Sequence, residues 1–267
     1  MSGIPAATAA DVKTALAELA DPEDAVQLQR FFKTGPGQYG EGDVFIGVRV
    51  PQIRVVAKRF AELPLGDVDE LFDSSIHEHR LAGLIILNRM FLVAGAPRTR
   101  DPGLRERIAA FYLDAVRRGR VNNWDLVDAS AEFVLGEFLW ENQRRDVLFE
   151  LARSESLWER RVAVLSSFAF IKHGDPSTTM QLAELLLNDR EDLIQKAVGW
   201  MLREAGKRVD RAELVTFLEA HAPRMPRTML SYATEHLAPA ERAEYRGRQD
   251  LPTRSALDPG DDQRTLR

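Results

Sequence analysis

Three short segments place chemically capable side chains at spacings that bring them together on helices. In VNNWDLVD, residues 121–128, an indole and a carboxylate stand four positions apart, so on a helix Trp124 and Asp128 share one patch near its start. In SLWERRVAVL, residues 156–165, Arg161 precedes an apolar run, while Arg160 points about a hundred degrees away around the helix. In LIQKAVGWMLRE, residues 193–204, Trp200 lies four residues beyond Lys196 on one stripe. A carboxylate, a guanidinium, an ammonium and two π faces are the groups with which a protein meets charge on a bound molecule. Each also has a purely structural reading: Asp128 as a first-turn acid serving the helix dipole, Arg161 as its salt-bridge partner, Trp200 as core.

The three segments share a register. Laid against itself with an offset of 34, the C-terminal half sets Trp124 against Trp158 and puts Ala129, Ala163 and Ala197 in one column. Periods of that order belong to helix-pair solenoids, in which each pair buries its apolar face on the next. Corresponding positions of stacked repeats face one way, so Asp128, Arg161 and Gln195-Lys196 are expected to line a single surface. Unpaired charges are rarely buried, and such a row suits a groove better than a packed interior.

The elements that must carry this surface are helical. Periodicity near 3.6 recurs almost from end to end, and alternating Val/Ile/Thr runs are hard to find. The pattern predicts helices over 9–20, 22–33, 51–62, 66–74, 78–95, 102–119, 123–140, 144–153, 157–172, 177–188, 191–207, 210–221, 226–236 and 239–246. Asp21-Pro22 and Asp101-Pro102 each set a capping oxygen before a proline of preset φ, and Asn123 can cap the helix that starts at Trp124. The segment Thr34–Asp43 holds four glycines in ten positions and must be loop. One domain over 1–250 is expected, with a polar, disordered tail over 251–267.

With 45% hydrophobic residues the chain can bury a substantial core, which excludes a disordered polymer. The absence of cysteine excludes disulfides, thiolate nucleophiles and Cys-ligated metal, and is natural in a reducing cytoplasm. The acidic N-terminal stretch has no basic n-region, and no apolar run approaches the roughly 18 residues of a membrane span, so a soluble protein is expected. The net charge of −5 runs against the basic surplus usual for nucleic-acid binding, although an acidic shell can surround a basic face.

The stretch FFKTGPGQYGEGDVFIGVRVPQIR (31–54), NNWDLVD, LWERRVAVLSSFAFIKHG and IQKAVGWMLREAGK together resemble the bacterial DNA alkylation repair glycosylases built from HEAT-like repeats. The likeness spans about residues 31–207 in order. It implies a curved, all-α solenoid of HEAT-like antiparallel helix pairs whose concave face binds alkylated double-stranded DNA. The implied activity is release of positively charged N3- or N7-alkylated purines without metal or redox cofactor; an extended groove needs no partner subunit, so a monomer is expected. Matched position by position, the implied catalytic patch is Trp124, Asp128, Arg161 and Trp200. Expected DNA contacts are Phe31, Lys33, Arg49, Lys172, Gln195, Lys196 and Arg203, with Arg30, Arg54, Lys58 and Lys207 as further basic groups for the same face. Two departures stand out: Asp192 and Leu193 occupy positions where some relatives carry paired aromatics, and Arg49 stands where others have Gln.

The chemistry suits the residues. An alkylated purine is already cationic and leaves readily, so positive charge develops on the deoxyribose in the transition state. Asp128 can oppose that charge and orient water, the indoles can offer π faces to the electron-poor sugar, and Arg161 can hold a backbone phosphate. The resemblance implies work from the backbone side without a tight base pocket. The competing reading is a non-catalytic HEAT-like module that binds structured DNA or a protein partner, since fold alone does not establish chemistry.

Two other signals are set aside. The glycine loop lacks the G-K-[ST] ending of a phosphate-binding loop and reads as a shaping loop. His77-Glu78-His79 has metal-like residue types, but i, i+2 spacing at a helix start diverges.

Overall fold

The computed structural model describes residues 7–248, and the tail expected from 251 onward lies outside them. Every regular element among the described residues is helical, apart from one isolated bridge between Val44 and Ile76. The N-terminal part comprises α1 (Ala9–Ala17), α2 (Pro22–Phe31), α3 (Val50–Arg59), α4 (Leu65–Phe72), α5 (His77–Gly95) and α6 (Pro102–Arg117). Then come α7 (Trp124–Asp128), a π-helical turn (Glu132–Gly136), α8 (Glu137–Glu141), α9 (Asp146–Ala152) and α10 (Leu157–Lys172). The chain continues through α11 (Ser177–Leu185), α12 (Asp192–Arg208), α13 (Arg211–His221), α14 (Arg227–Ala233) and α15 (Pro239–Arg248). None of these helices is long and apolar enough to cross a membrane.

The caps act as their residue types dictate. Asp21 accepts from the N–H groups of Glu23 and Asp24, Asp101 from that of Leu104, and the prolines that follow fill the first helical position. Packing joins elements that are near in sequence: α5 lies on α3, α4 and α6, α10 on α9, α11, the π turn and α12, and α12 on α13 and α14. In α10 every residue from Arg161 to Ile171 is buried, which is why its sequence is apolar on nearly all sides rather than along one stripe. Ala163 and Ala197, two of the aligned alanines, are buried at the helix contacts.

The single helix expected over 123–140 is instead α7, a turn, the π turn and α8. Side-chain donors compete for its carbonyls: Ser130 Oγ donates to Leu126 O at 2.6 Å, Asn88 Nδ2 to Ala129 O at 2.7 Å and Ser166 Oγ to Ala131 O at 3.2 Å. The ladder then resumes with a five-residue step, from Gly136 N to Ala131 O at 2.9 Å. The break leaves Asp128 as the last residue of a five-residue helix, its side chain freed from a continuous helical face.

Glycine at 199 has a packing role. A Cβ there would lie 2.5 Å from the Met229 carbonyl oxygen and 2.6 Å from the Tyr232 Cβ, so only glycine lets α14 approach α12 this closely. That approach carries Tyr232 to the neighbourhood of Trp200.

Candidate active site

The N-terminal ends of α10 and α12, together with α7, face the loop after α2 across a pocket of about 510 Å³. Trp124 and Asp128 come from α7, Arg161 from α10, and Lys196 and Trp200 from α12. Phe31, Lys33 and Tyr39 close it from the N-terminal side and Tyr232 from α14. A larger hollow of about 860 Å³ lies between α3, α5 and the π turn, with Arg54, Lys58, Arg89, Leu92 and Phe133 on its walls, but none of the Trp124, Asp128, Arg161 and Trp200 set.

Asp128 and Arg161 meet in a two-pronged pair. Arg161 Nε donates to one carboxylate oxygen at 3.0 Å and Nη2 to the other at 2.9 Å, while Nη1 donates to the Leu193 carbonyl at 2.6 Å. Planar fork against planar carboxylate fixes the rotation of both groups. The Arg161 side chain is 6% exposed and that of Asp128 20%, so the acid opens to the pocket and the guanidinium backs it. Burial pushes the Asp128 carboxyl above its ordinary range; Arg161 pulls it down, and nearby Asp125 adds a smaller upward push.

Trp124 is set by what lies behind it. Phe32 stacks on it at 5.2 Å and 16°, and Phe31 meets it edge-on at 5.9 Å. Phe32 also stacks on Phe45 at 4.9 Å, and Phe45 on His77 at 4.5 Å. His77 lies between two carboxylates, with Nδ1 3.1 Å from Asp43 and Nε2 2.8 Å from Asp125. Asp43 also accepts from Asn123 Nδ2 at 2.9 Å and is ion-paired to Arg80, and Asn123 caps Trp124 N at 2.8 Å. The end of the glycine loop, the start of α5 and the start of α7 are thereby joined in one buried polar cluster. Glu78, the next residue, accepts from the backbone N–H groups of Ile46, Gly47 and Val48. His79 Nδ1 lies 2.9 Å from Ser74 Oγ. The His-Glu-His run therefore serves loop anchoring.

Burial opposes the His77 imidazolium, yet Asp125 and Asp43 outweigh it and push His77 up to about 9. Its folded value exceeds the unfolded value of about 6.5, so its stabilising contribution is complete below about pH 6.5 and lost as pH rises through about 9. Thermal unfolding of the parent and of His77→Gln is expected to show the parent's advantage shrinking over that window, from a Tm difference on the order of 5 °C. A difference independent of pH would show that the ring's charge contributes nothing.

Of the expected site residues the pocket gathers Trp124, Asp128, Arg161, Trp200, Phe31, Lys33 and Lys196. The others lie outside its lining. Arg49 is paired bidentately with Asp24, with Nε–Oδ2 at 2.7 Å, and Gln195 Nε2 donates to Asp189 O at 3.0 Å. Lys172 is ion-paired with Glu132 and sits over Phe133 and Phe168, and Arg203 is ion-paired with Glu235. These cations are held by carboxylates from elsewhere in the fold, a competition invisible in residue spacing. The Arg161 guanidinium, expected on a phosphate, is turned to Asp128 and a carbonyl. Tyr39 and Tyr232 were missed; the only signal for Tyr39 was its place among the loop glycines.

The site sets an acid–arginine pair beside two indoles on an all-helical framework. The model of the DNA alkylation repair enzyme family matches residues 12–237, and the chain belongs to that family. A solved structure called "Predicted DNA alkylation repair enzyme from Enterococcus faecalis" superposes with a TM-score of 0.64 at 16% identity, over 82% of this chain and 97% of that one. At that identity the likeness is one of fold. No curated protein sequence matches the chain.

Proposed function

We propose that the chain is a cytoplasmic DNA glycosylase that releases cationic N3- and N7-alkylated purines from double-stranded DNA. The observation that carries this reading is a half-buried carboxylate, pinned by a buried guanidinium, opening beside two indoles into one pocket. The N-glycosidic bond breaks with its electron pair leaving on the purine, which neutralises the base. Positive charge appears on the sugar, where Asp128 opposes it and Trp124 and Trp200 offer their π faces. Water then adds to the anomeric carbon, with Asp128 accepting its proton or passing it to solvent. Arg161 acts as a positioning residue that holds the carboxylate ionised and oriented. The sequential packing of α3, α5, α7, α10, α12 and α14 supports a curved stack of HEAT-like helix pairs, with the pocket at one edge of its inner face.

Incubation with methylated duplex DNA, followed by identification of released bases, tests the proposal. N3-methyladenine and N7-methylguanine are expected in the supernatant, and neutral O6-alkylguanine is expected to stay in the DNA, because only a cationic base leaves without protonation. Failure to release any base would refute the glycosylase reading.

The competing reading is a binding module without catalysis. It draws on the same ion pair, which is also what a structural salt bridge looks like, and on the acids that occupy Arg49, Lys172 and Arg203. A duplex-binding salt series separates the two: salt-dependent binding without base release favours the module.

A further inference from the structure

On the reading that the pocket takes DNA, it lacks its expected phosphate ligand. Three of the Arg161 N–H groups go to Asp128 and the Leu193 carbonyl, and the Lys196 ammonium is 2.7 Å from Asp192. The glycine loop supplies what is missing. Tyr39 lines the pocket. Its hydroxyl hydrogen is directed at the Phe31 carbonyl, but at 3.4 Å, well beyond the usual length of about 2.7–2.8 Å for such bonds. The donor is thus present, oriented and poorly used. Burial, the first influence on this phenol, raises its pKa and keeps the hydrogen in place.

Lys33 stands beside it, its ammonium 5.9 Å from the Tyr39 ring centroid. Among the described residues no carboxylate pairs with Lys33. Its backbone is in the left-handed region at φ 51°, a conformation costly for a residue with a Cβ, and the bond from Gly40 N to Lys33 O at 3.2 Å holds it there. Gly40 is itself obligatory, since a Cβ would lie 2.5 Å from the Phe32 carbonyl oxygen. A lysine in the left-handed region and a half-buried tyrosine are held side by side on the pocket wall by this loop.

We propose that Tyr39 and Lys33 form a phosphodiester subsite, in which the Tyr39 hydroxyl donates to a non-bridging oxygen of a phosphate next to the lesion and Lys33 supplies the opposing charge. The loop is therefore a substrate-binding element as well as a shaping one.

The test is a binding series on the full chain. Dissociation constants are measured for the parent, Tyr39→Phe and Lys33→Met with a duplex carrying one N7-methylguanine, and with a set in which each neighbouring phosphate in turn is replaced by a neutral methylphosphonate. Phe keeps the ring contacts with Lys33 and Trp158, so Tyr39→Phe is expected to fold. It should weaken binding about tenfold or more, the size of a hydrogen bond to a charged group, and the penalty for neutralising one particular phosphate should shrink in the variant. Lys33→Met should reduce the slope of log affinity against log salt by about one. The proposal is overturned if Tyr39→Phe binds as tightly as the parent, or if every methylphosphonate costs the variant as much as it costs the parent. Affinity is read whether or not a base leaves, so binding coupled to one phosphate without base release would fail the glycosylase reading alone. Base release with no such coupling would fail the subsite alone.

Discussion

Asp128→Asn is expected to slow release of alkylated purines on the order of a hundredfold to a thousandfold while leaving affinity for lesion-bearing duplex within a few-fold. The change is isosteric and removes one negative charge from the pocket wall. In the ground state that charge meets a neutral sugar and contributes little; in the transition state it faces a developing cation in a site partly shielded from water, where the interaction is strongest. The loss should therefore fall on kcat rather than KM. Single-turnover release from methylated duplex, alongside a binding isotherm, measures both. A variant that releases bases at the parent's rate while folded would remove Asp128 from the reaction.

Removal of the guanidinium acts through the acid. In Arg161→Ala a carboxylate already pushed upward by burial loses the partner that pulls it down, so its pKa must rise further. The proposed reaction needs the ionised form, so activity is expected to fall as pH drops through the Asp128 pKa. The parent's acid limb should lie above the ordinary carboxylate range, and the variant's limb at still higher pH. Near neutrality the variant is expected to lose at least about tenfold in kcat, with part of the loss recovered on the alkaline side. It should also lose stability on the order of 3 kcal/mol, since one partner of a largely buried pair is left behind. Arg161→Lys cannot restore two parallel hydrogen bonds and should rescue the pH limb better than the rate. If Arg161 served a phosphate instead, its removal would raise KM and flatten the salt dependence without moving the acid limb.

Much of the framework was legible because it follows from local rules. Asp21, Asp101 and Asn123 cap the helices their positions announce, and Trp124, Asp128, Arg161 and Trp200 reach one pocket from three helices. Spacing works here because a helical period fixes direction, and stacked helices carry that direction from one segment to the next.

What spacing cannot read is competition among partners. The helix expected over 123–140 breaks because Asn88 and Ser166, from distant elements, bond to its carbonyls. Arg49, Lys172 and Arg203 have the composition of DNA ligands and are held by Asp24, Glu132 and Glu235, while Gln195 turns to a carbonyl. His77 has the chemistry of a metal ligand and instead joins Asp43 to Asp125.

The sequence by itself determined that the chain is helical, where its helices cap, and which acid, arginine and indoles could share a surface, because those properties depend on backbone geometry within a few residues. Only the tertiary structure decided that Arg161 pairs with Asp128, that a buried polar cluster around His77 backs the aromatic stack behind Trp124, and that a glycine loop brings Lys33 and Tyr39 into the pocket. Those outcomes depend on which of several possible partners lies closest in space, and proximity between segments dozens of residues apart is set by packing.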